Sequence, residues 1–144
     1  MITARIQSEP IDANALLAEL AHEADGAQLL FLGNVRNHHQ GRDVLRIDYE
    51  VYEPMALKEL QKIIDEEAVN HGLERVIVVH RHGRHEIGDA SIAVVIGSPH
   101  RVNAYEASRI IMDRIKKDVP IWKKEYFKDG TIEWVLADKL MRSE

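Results

Sequence analysis

The stretch SPHRVNAYEASRIIMDRIKKDVPIWKKE, residues 98–125, combines a helical pattern with the start of a strand. At about 100° per residue, positions 104, 107, 111 and 115 lie on one face of a helix. All four positions are apolar: Ala104, Ala107, Ile111 and Ile115. The helix is therefore predicted to pack this face on a sheet and to end before Pro120, which cannot continue a helix.

The same stretch is basic although the chain is acidic. From Arg101 to Lys124 it carries seven lysine or arginine residues and three acidic residues, whereas the 144-residue chain has a formal net charge of -5. Local positive charge in an acidic protein indicates a small anionic ligand or an acidic patch on a partner. A general nucleic-acid-binding face is not expected, because such a face is broadly basic and the sequence pI is about 5.9.

The remaining segments alternate between helical and extended patterns. Helices are predicted from Asp12 to a stop at Gly26, and from Pro54 to a stop at Gly72. Strands are predicted for AQLLFLG, VLRIDYEVYE, LERVIVVHRHG and ASIAVVIGS, and a final hairpin turns at Asp129-Gly130. We therefore expect one domain over the whole chain, of the α+β class, with flanking helices and a mixed or mainly antiparallel sheet.

Two of these elements carry a detailed burial pattern. In VLRIDYEVYE, the positions predicted to face the core are Leu45, Ile47, Tyr49 and Val51. The intervening positions are charged, so the strand is expected to be half-buried. In the helix after Pro54, the predicted core stripe is Leu57, Leu60, Ile63 and Ile64.

Several classes of protein are excluded by what the sequence lacks. It has no cysteine, which excludes disulfides, thiolate metal sites and cysteine nucleophiles. The apolar runs RVIVVH and SIAVVIG are too short to span a bilayer, and the first residues lack the basic and apolar regions of a signal peptide. We therefore expect a cytoplasmic protein that does not insert into a membrane.

On the helix of the opening stretch, Tyr105, Met112 and Lys116 form a second stripe at the border between core and solvent. Lys116 would then have apolar side chains beneath its stem and an exposed ammonium. The alternative is an ordinary surface lysine near a helix C-terminus. In the following strand, Trp122 and Lys123 point to opposite faces. If Trp122 is in the core, Lys123 points outward into a cleft beside Lys116.

His100 and Arg101 stand at the N-terminus of the same helix, where free backbone N–H groups favour an anion. Arginine can bind a phosphate through two hydrogen bonds, and histidine can transfer a proton; the alternative is a simple capping turn. Arg101 and Lys116 are fifteen residues apart, roughly 22 Å along a helix. One small ligand cannot reach both, so either there are two sites or a second copy of the chain completes one site.

Two further groups of residues invite a functional interpretation. The loop GNVRNHHQG follows a strand and carries Arg36, His38 and His39; such loops often hold functional residues, and the alternative is a solvated connection. The histidines at positions 80, 82 and 85 could suggest a metal site. No carboxylate or third ligand stands at a suitable spacing, so a structural or exposed role is favoured for them.

Five segments, taken in order, resemble the large, catalytic subunit of molybdopterin synthase: FLGNVRNHHQG, YEVYEPMALKEL, VVHRHGRHEIGD, GSPHRVNAYEAS and IMDRIKKDVPIWKKE. The resemblance covers nearly the whole chain. It implies an α/β-hammerhead fold and a sulfurtransferase that converts cyclic pyranopterin monophosphate to molybdopterin, the dithiolene ligand of the molybdenum cofactor. It also implies a homodimer that carries, at each end, a small ubiquitin-like subunit whose C-terminal Gly-Gly thiocarboxylate delivers the sulfur.

The resemblance also assigns site residues. Lys116 and Lys123 match the catalytic lysines of the family. The residues that match its phosphate and pterin pocket are Arg36, His100 and Arg101, with Phe31 and Met112 as apolar lining. No metal or cofactor is implied. The C-terminal segment LADKLMRSE departs most from the family pattern.

On this interpretation, the missing cysteine and the local positive charge have one explanation. The thiocarboxylate of the carrier is the nucleophile, and fixed cations bring it to a phosphate-bearing substrate of like charge. Two other functions fit the same residues. One is a non-catalytic module that binds an acidic partner or a nucleotide, and the other is a structural dimer with solvated lysines.

Overall fold

The computed structural model describes residues 1–136, which form two sheets and three helices. In chain order the elements are β1 (Ile2–Gln7), α1 (Ala13–Leu20), β2 (Ala27–Asn34), β3 (His38–His39), β4 (Arg42–Val51), α2 (Glu53–His71), β5 (Arg75–Arg81), β6 (Gly83–Glu86), β7 (Ala90–Ser98), α3 (Arg101–Asp118), β8 (Ile121–Phe127) and β9 (Ile132–Leu136). The predicted α+β class is confirmed. Within residues 1–136 there is no helix whose length and apolar character would let it cross a membrane. The segment LADKLMRSE lies outside the described residues beyond its first leucine.

The first sheet has the strand order β1-β5-β7-β2, with β1 parallel to β5 and the other pairs antiparallel. Its central strands β5 and β7 are buried on both faces. On β5, Val76 and Val78 pack in the core that contains α2 and α3, whereas Ile77 and Val79 pack with α1. Because side chains alternate along a strand, β5 contributes residues to both hydrophobic cores.

The second sheet is built around β4, which pairs with β3, β6 and β8, while β9 pairs with β8. An irregularity in the pairing between Val44 and Arg46 shifts the alternation of β4. As a result Val44 is buried, and Leu45, predicted to face the core, is 50% exposed. Val44 and Ile47 form a small core with Phe127 of β8.

The predicted core face of α3 is confirmed. Its four residues, Ala104, Ala107, Ile111 and Ile115, are each at most 1% exposed. The helix packs on β2 and β7 of the first sheet and on α2. It ends at Asp118, and β8 begins at Ile121 with Pro120 just before it. This short connection places the last turn of α3 next to the start of β8.

Two details of the helices differ from the prediction for physical reasons. The helix α1 ends at Leu20 rather than near Gly26. At Gly26 the backbone instead approaches Pro99 so closely that an added Cβ would lie 2.6 Å from the Pro99 carbonyl oxygen. In α2, Ala56 is fully buried while Leu57 is 40% exposed, so the smaller residue occupies the contact with the sheet. In the segment RHEIGD, predicted as a connection, residues 84–86 belong to β6, which pairs with β4.

Replacing Ile111 by alanine tests the packing of α3. Ile111 is fully buried against the first sheet, so Ile111→Ala is expected to lower the free energy of unfolding by about 2–5 kcal/mol, measured by chemical denaturation. Val102→Ala is the control on the same helix. Val102 is 57% exposed, and its replacement should change the stability by less than about 0.5 kcal/mol. Equal losses in the two variants would contradict this packing.

Candidate active site

A cavity of about 320 Å³ lies between α3 and strands of both sheets. Its lining residues are Phe31, Gly33, Asn34, Arg36, Tyr49, His80, Ser91, Ile92, Met112, Ile115, Lys116, Ile121 and Lys123. Three of them are cations, and among the described residues none of its lining side chains is acidic. The cavity therefore suits a ligand that carries negative charge and an apolar part.

Five of the seven residues predicted for the site line this cavity. Phe31 comes from β2, and Arg36 follows the end of that strand. Met112 and Lys116 are four residues apart, so they lie above one another on one face of α3. Lys123 comes from β8. The fold thus gathers residues from four separate segments, and their individual roles stay predictions.

His100 and Arg101 are not among the residues that line this cavity. His100 is the N-cap of α3, its side chain makes no capping hydrogen bond, and its carbonyl oxygen accepts a 2.8 Å hydrogen bond from the Ser98 hydroxyl. The helix runs without a break from Arg101 to Asp118, so the separation of roughly 22 Å between Arg101 and Lys116 applies within one chain.

An apolar groove of about 470 Å³ adjoins the cavity along α3 and β2. It shares Phe31, Met112 and Lys116 with the cavity and extends along α3 to Tyr105. Met112 is 8% exposed and Tyr105 is 62% exposed, so the predicted border stripe on α3 is confirmed. The groove leads from the exposed surface at Tyr105 to the ammonium group of Lys116.

Lys123 points into the cavity. Its orientation was predicted from the assumption that Trp122 lies in the core, and that assumption is wrong. Trp122 is 45% exposed rather than in the core, and alternation along β8 then turns Lys123 inward, where its side chain is 14% exposed. Burial lowers the pKa of Lys123, and the nearby Glu125 carboxylate opposes that effect. The charges of Lys116 and Arg36 lower this pKa further, as expected when three cations share one cavity.

A buried carboxylate lies beside Lys123. Glu125 follows it by two positions on β8 and is fully buried. One oxygen, Oε1, lies 3.2 Å from Nζ of Lys123, and the other, Oε2, lies 2.9 Å from Nδ1 of His39. His39 is 7% exposed, so the interpretation of its loop as a solvated connection is wrong at this position.

Glu125 was not predicted as a site residue, and His39 was predicted only as part of a loop that could hold functional residues. Lys123 and Glu125 are two positions apart in a strand, a spacing that places both side chains on one face and could have identified Glu125. The contact between His39 and Glu125 joins residues 86 positions apart. No local pattern in the sequence indicates a contact of that kind.

The order of the elements and the residues around the cavity can be compared with known proteins. The model of the MoaE protein family matches residues 6–118. The chain belongs to the MoaE family. The match includes α3 with Lys116 and stops before β8, so it does not extend to Lys123 or Glu125.

Individual MoaE relatives support the same assignment. Molybdopterin synthase catalytic subunit 1 of Mycobacterium tuberculosis is 40% identical over 132 residues, which are 91% of this chain and 88% of that protein. The crystal structure of molybdopterin synthase from Staphylococcus aureus superposes with a TM-score of 0.84 at 38% identity, over 90% of this chain and 94% of that chain. A complex of subunits 1 and 2 of the molybdopterin-converting factor from Helicobacter pylori shares the fold, with a TM-score of 0.75 at 23% identity over 92% of this chain and 89% of that chain.

Tyr49 and His80 add polar groups to the cavity of this MoaE protein. The ring of Tyr49 packs edge-on against the rings of His80 and His85, with centroid distances of 5.6 and 4.9 Å. Burial lowers the pKa of His80 to about 4, so its ring is neutral at neutral pH. Nδ1 of His80 lies 3.0 Å from the Arg81 carbonyl oxygen and therefore donates, which leaves Nε2 as an acceptor. Within residues 1–136, no group of three or more potential ligands is arranged to hold a metal ion.

Proposed function

We propose that this chain is the catalytic subunit of a molybdopterin synthase. In this proposal it transfers sulfur from the thiocarboxylated C-terminus of a small carrier subunit to cyclic pyranopterin monophosphate. The observation that carries the proposal is the cavity that gathers Arg36, Lys116 and Lys123 beside an apolar groove. Membership of the MoaE family and the names of the relatives support it.

The electrostatics of the cavity suit a reaction between two anions. A thiocarboxylate and a phosphate repel each other, and the repulsion grows as water is excluded from between them. Fixed cations offset this repulsion without having to reorganise as the reaction proceeds. The chain has no cysteine of its own, so in this proposal the carrier supplies the sulfur and the protein supplies charge and orientation.

The two lysines are assigned different tasks. The carrier sulfur forms a C–S bond with the pterin side chain, and a C–O bond to the phosphate breaks. Lys123, the more buried lysine, stabilises the phosphate oxygen as the ring opens. Water then cleaves the acyl–sulfur bond, which returns the carrier as a carboxylate and leaves the sulfur on the pterin. A second charged carrier adds the second sulfur of the dithiolene at the neighbouring carbon, where an oxygen substituent leaves as water, and is hydrolysed in the same way. Lys116, at the end of the groove, guides the carrier tail and stabilises the oxyanion of this second step.

Removing the lysine charges tests the assignment. With cyclic pyranopterin monophosphate and a thiocarboxylated carrier, Lys116→Ala and Lys123→Ala are each expected to lower kcat for dithiolene formation about 10²- to 10³-fold. The reason is that one preorganised charge donor typically contributes about 3–4 kcal/mol of transition-state stabilisation. Lys117→Ala is the matched control, because Lys117 is the next residue on α3, is exposed, and is not among the cavity residues.

The stabilities of the two lysine variants should differ. The side chain of Lys116 is exposed, so Lys116→Ala should leave the melting temperature nearly unchanged. Lys123→Ala leaves the buried Glu125 without its cation and should lower the free energy of unfolding by about 3 kcal/mol. If the wild-type chain makes no dithiolene product with an active carrier, the proposed function is wrong. If the wild-type chain is active and neither lysine variant loses turnover, the roles assigned to the two lysines are wrong.

The apolar groove is proposed to hold the C-terminal Gly-Gly tail of the carrier. Glycine residues have no side chains, so an extended tail could lie along Tyr105 and Met112 and place its terminus at Lys116. A carrier shortened by its last residues should bind more weakly in a titration and should transfer no sulfur. Equal affinity of the full and shortened carriers would contradict this route.

The site is proposed to be completed by a second copy of this chain. Within one chain, His100 and Arg101 lie at the opposite end of an unbroken helix from Lys116, yet the family resemblance assigns all three to one site. Both statements hold if one copy contributes Lys116 and its neighbour contributes His100 and Arg101. A two-fold axis creates this pairing twice, giving two equivalent sites.

Mixing two inactive variants tests the shared site. Arg101→Ala and Lys116→Ala should each be nearly inactive alone. After random subunit exchange half of the dimers are mixed, and each mixed dimer holds one intact site, so roughly a quarter of the wild-type activity should return. Native mass spectrometry would verify the exchange. Verified exchange without recovered activity would place the whole site within one chain.

A further inference from the structure

The carboxylate of Glu125 has a different neighbour at each oxygen. Oε1 lies 3.2 Å from the Lys123 ammonium, and Oε2 lies 2.9 Å from Nδ1 of His39. The first contact is an ion pair by its distance. It is not a well-aligned hydrogen bond, because Oε1 receives none among the described residues. Glu125 is fully buried, so its carboxylate has lost its hydration, and these two contacts offset the cost of that loss.

The backbone fixes this arrangement from two sides. Lys123 and Glu125 are alternate residues of β8, so their side chains leave the strand on one face. His39 is paired with Arg42 in the hairpin of β3 and β4, whose turn has positive φ angles at Gln40 and Gly41. The hairpin therefore brings the imidazole of His39 to the side of Glu125 away from Lys123.

The surroundings of Lys123 make a neighbouring carboxylate important for keeping its side chain charged. The charged and titratable groups around it come from several elements: Lys116 on α3, Arg36 after β2, Tyr49 on β4, which pairs opposite it, and Glu125 on β8 itself. Burial and the two other cations lower the pKa of Lys123, and Glu125 raises it. Without a fixed carboxylate, the ammonium would tend to lose its proton or swing away from the other two cations.

We infer that Glu125 and His39 are positioning residues for Lys123: His39 orients the Glu125 carboxylate, and Glu125 holds the Lys123 ammonium in place and charged at the cavity wall. The imidazole of His39 donates its Nδ1–H to Oε2, which leaves Oε1 directed to Lys123. The inference depends on the proposed function only for the role of Lys123 in the reaction. The contacts themselves can be tested without any turnover.

The first experiment measures the protonation of Lys123 in the free chain. Titration of lysine Cε signals by NMR, with Lys123 assigned from Lys123→Arg, should give a lower pKa for Lys123 in Glu125→Gln than in the wild-type chain. His39→Leu should lower it in the same direction, and His39→Asn, whose amide can still donate near the position of Nδ1, should restore it. Lys124, on the opposite face of β8, is the internal reference.

Matched controls change the same residue types nearby. Glu133 pairs opposite Glu125 on β9 but is exposed and bonds Arg42, so Glu133→Gln removes an equal charge outside the cavity. His38 precedes His39 and is exposed, so His38→Leu is the control for the imidazole. Neither control should change the pKa of Lys123 beyond the effect of a distant charge.

The second experiment measures turnover. Glu125→Gln and His39→Leu should lower kcat about 10- to 100-fold with little change in KM, because a displaced ammonium acts on the transition state. If the charged form of Lys123 is required, activity falls as pH rises through its pKa. The alkaline limb of the kcat profile should therefore move to lower pH in Glu125→Gln, and His39→Asn should recover activity.

The two experiments separate two kinds of failure. An inactive wild-type chain would remove the proposed function, while the NMR titration would still decide whether Glu125 and His39 control Lys123. An unchanged pKa of Lys123 in both Glu125→Gln and His39→Leu would overturn the inference. A loss of activity in which His39→Asn behaves like His39→Leu would overturn the role of the Nδ1 hydrogen bond. Should Glu125→Gln fail to fold, the His39 variants carry the test.

Discussion

The packing of α3 on the first sheet determines where the chain can place its cations. Ala104 and Ala107 give the helix a smooth apolar face near its start, and Ile111 and Ile115 fill the space beneath its later turns. With that face fixed, the neighbouring stripe must lie at the border of the core, so the last turn of α3 presents Lys116 at the cavity. The break at Pro120 then starts β8 within two residues of the helix end, which brings Lys123 to the same cavity. The two lysines are neighbours because of backbone geometry, in spite of their mutual repulsion.

Regular periodicity explains which parts of this structure could be predicted from the sequence. The core face of α3, the N-cap at Asp12 and the end of α2 at Gly72 all follow from local chemistry, and the structure has them. Leu45 was misplaced because β4 has one extra residue between Val44 and Arg46 relative to β8, and this irregularity, which local periodicity does not reveal, shifts the alternation. Trp122 was misplaced because a large apolar residue usually favours the core, whereas here the core of β8 is taken by Ile121 and Phe127.

The candidate site also has residues that could be predicted from the sequence and residues that could not. Arg36, Lys116 and Lys123 could be named from the sequence because the motifs that contain them resemble a known family. The His39–Glu125 contact could not, since a buried carboxylate looks like any other glutamate until the fold removes it from water. An uncompensated carboxylate in the interior is strongly unfavourable, so its burial next to Lys123 and His39 is a specific feature of the structure. It also places one negative charge beside Lys123, one of the three cations of the cavity, and so offsets part of their mutual repulsion.

The length of α3 constrains how such a ligand can be held. The N-terminus of the helix has the positive end of its dipole together with His100 and Arg101, and the C-terminus has Lys116 and Lys117, whose charges offset the negative end. Both ends therefore favour anions, roughly 25 Å apart along the axis of one helix. A two-fold axis perpendicular to two neighbouring copies of α3 makes the helices antiparallel, so the start of one can lie near the end of the other. Each pair of ends would then combine backbone N–H groups and Arg101 from one copy with Lys116 from the other. Within one chain the straight helix keeps Arg101 and Lys116 apart. Between two chains related by such an axis, the same helix can bring them together.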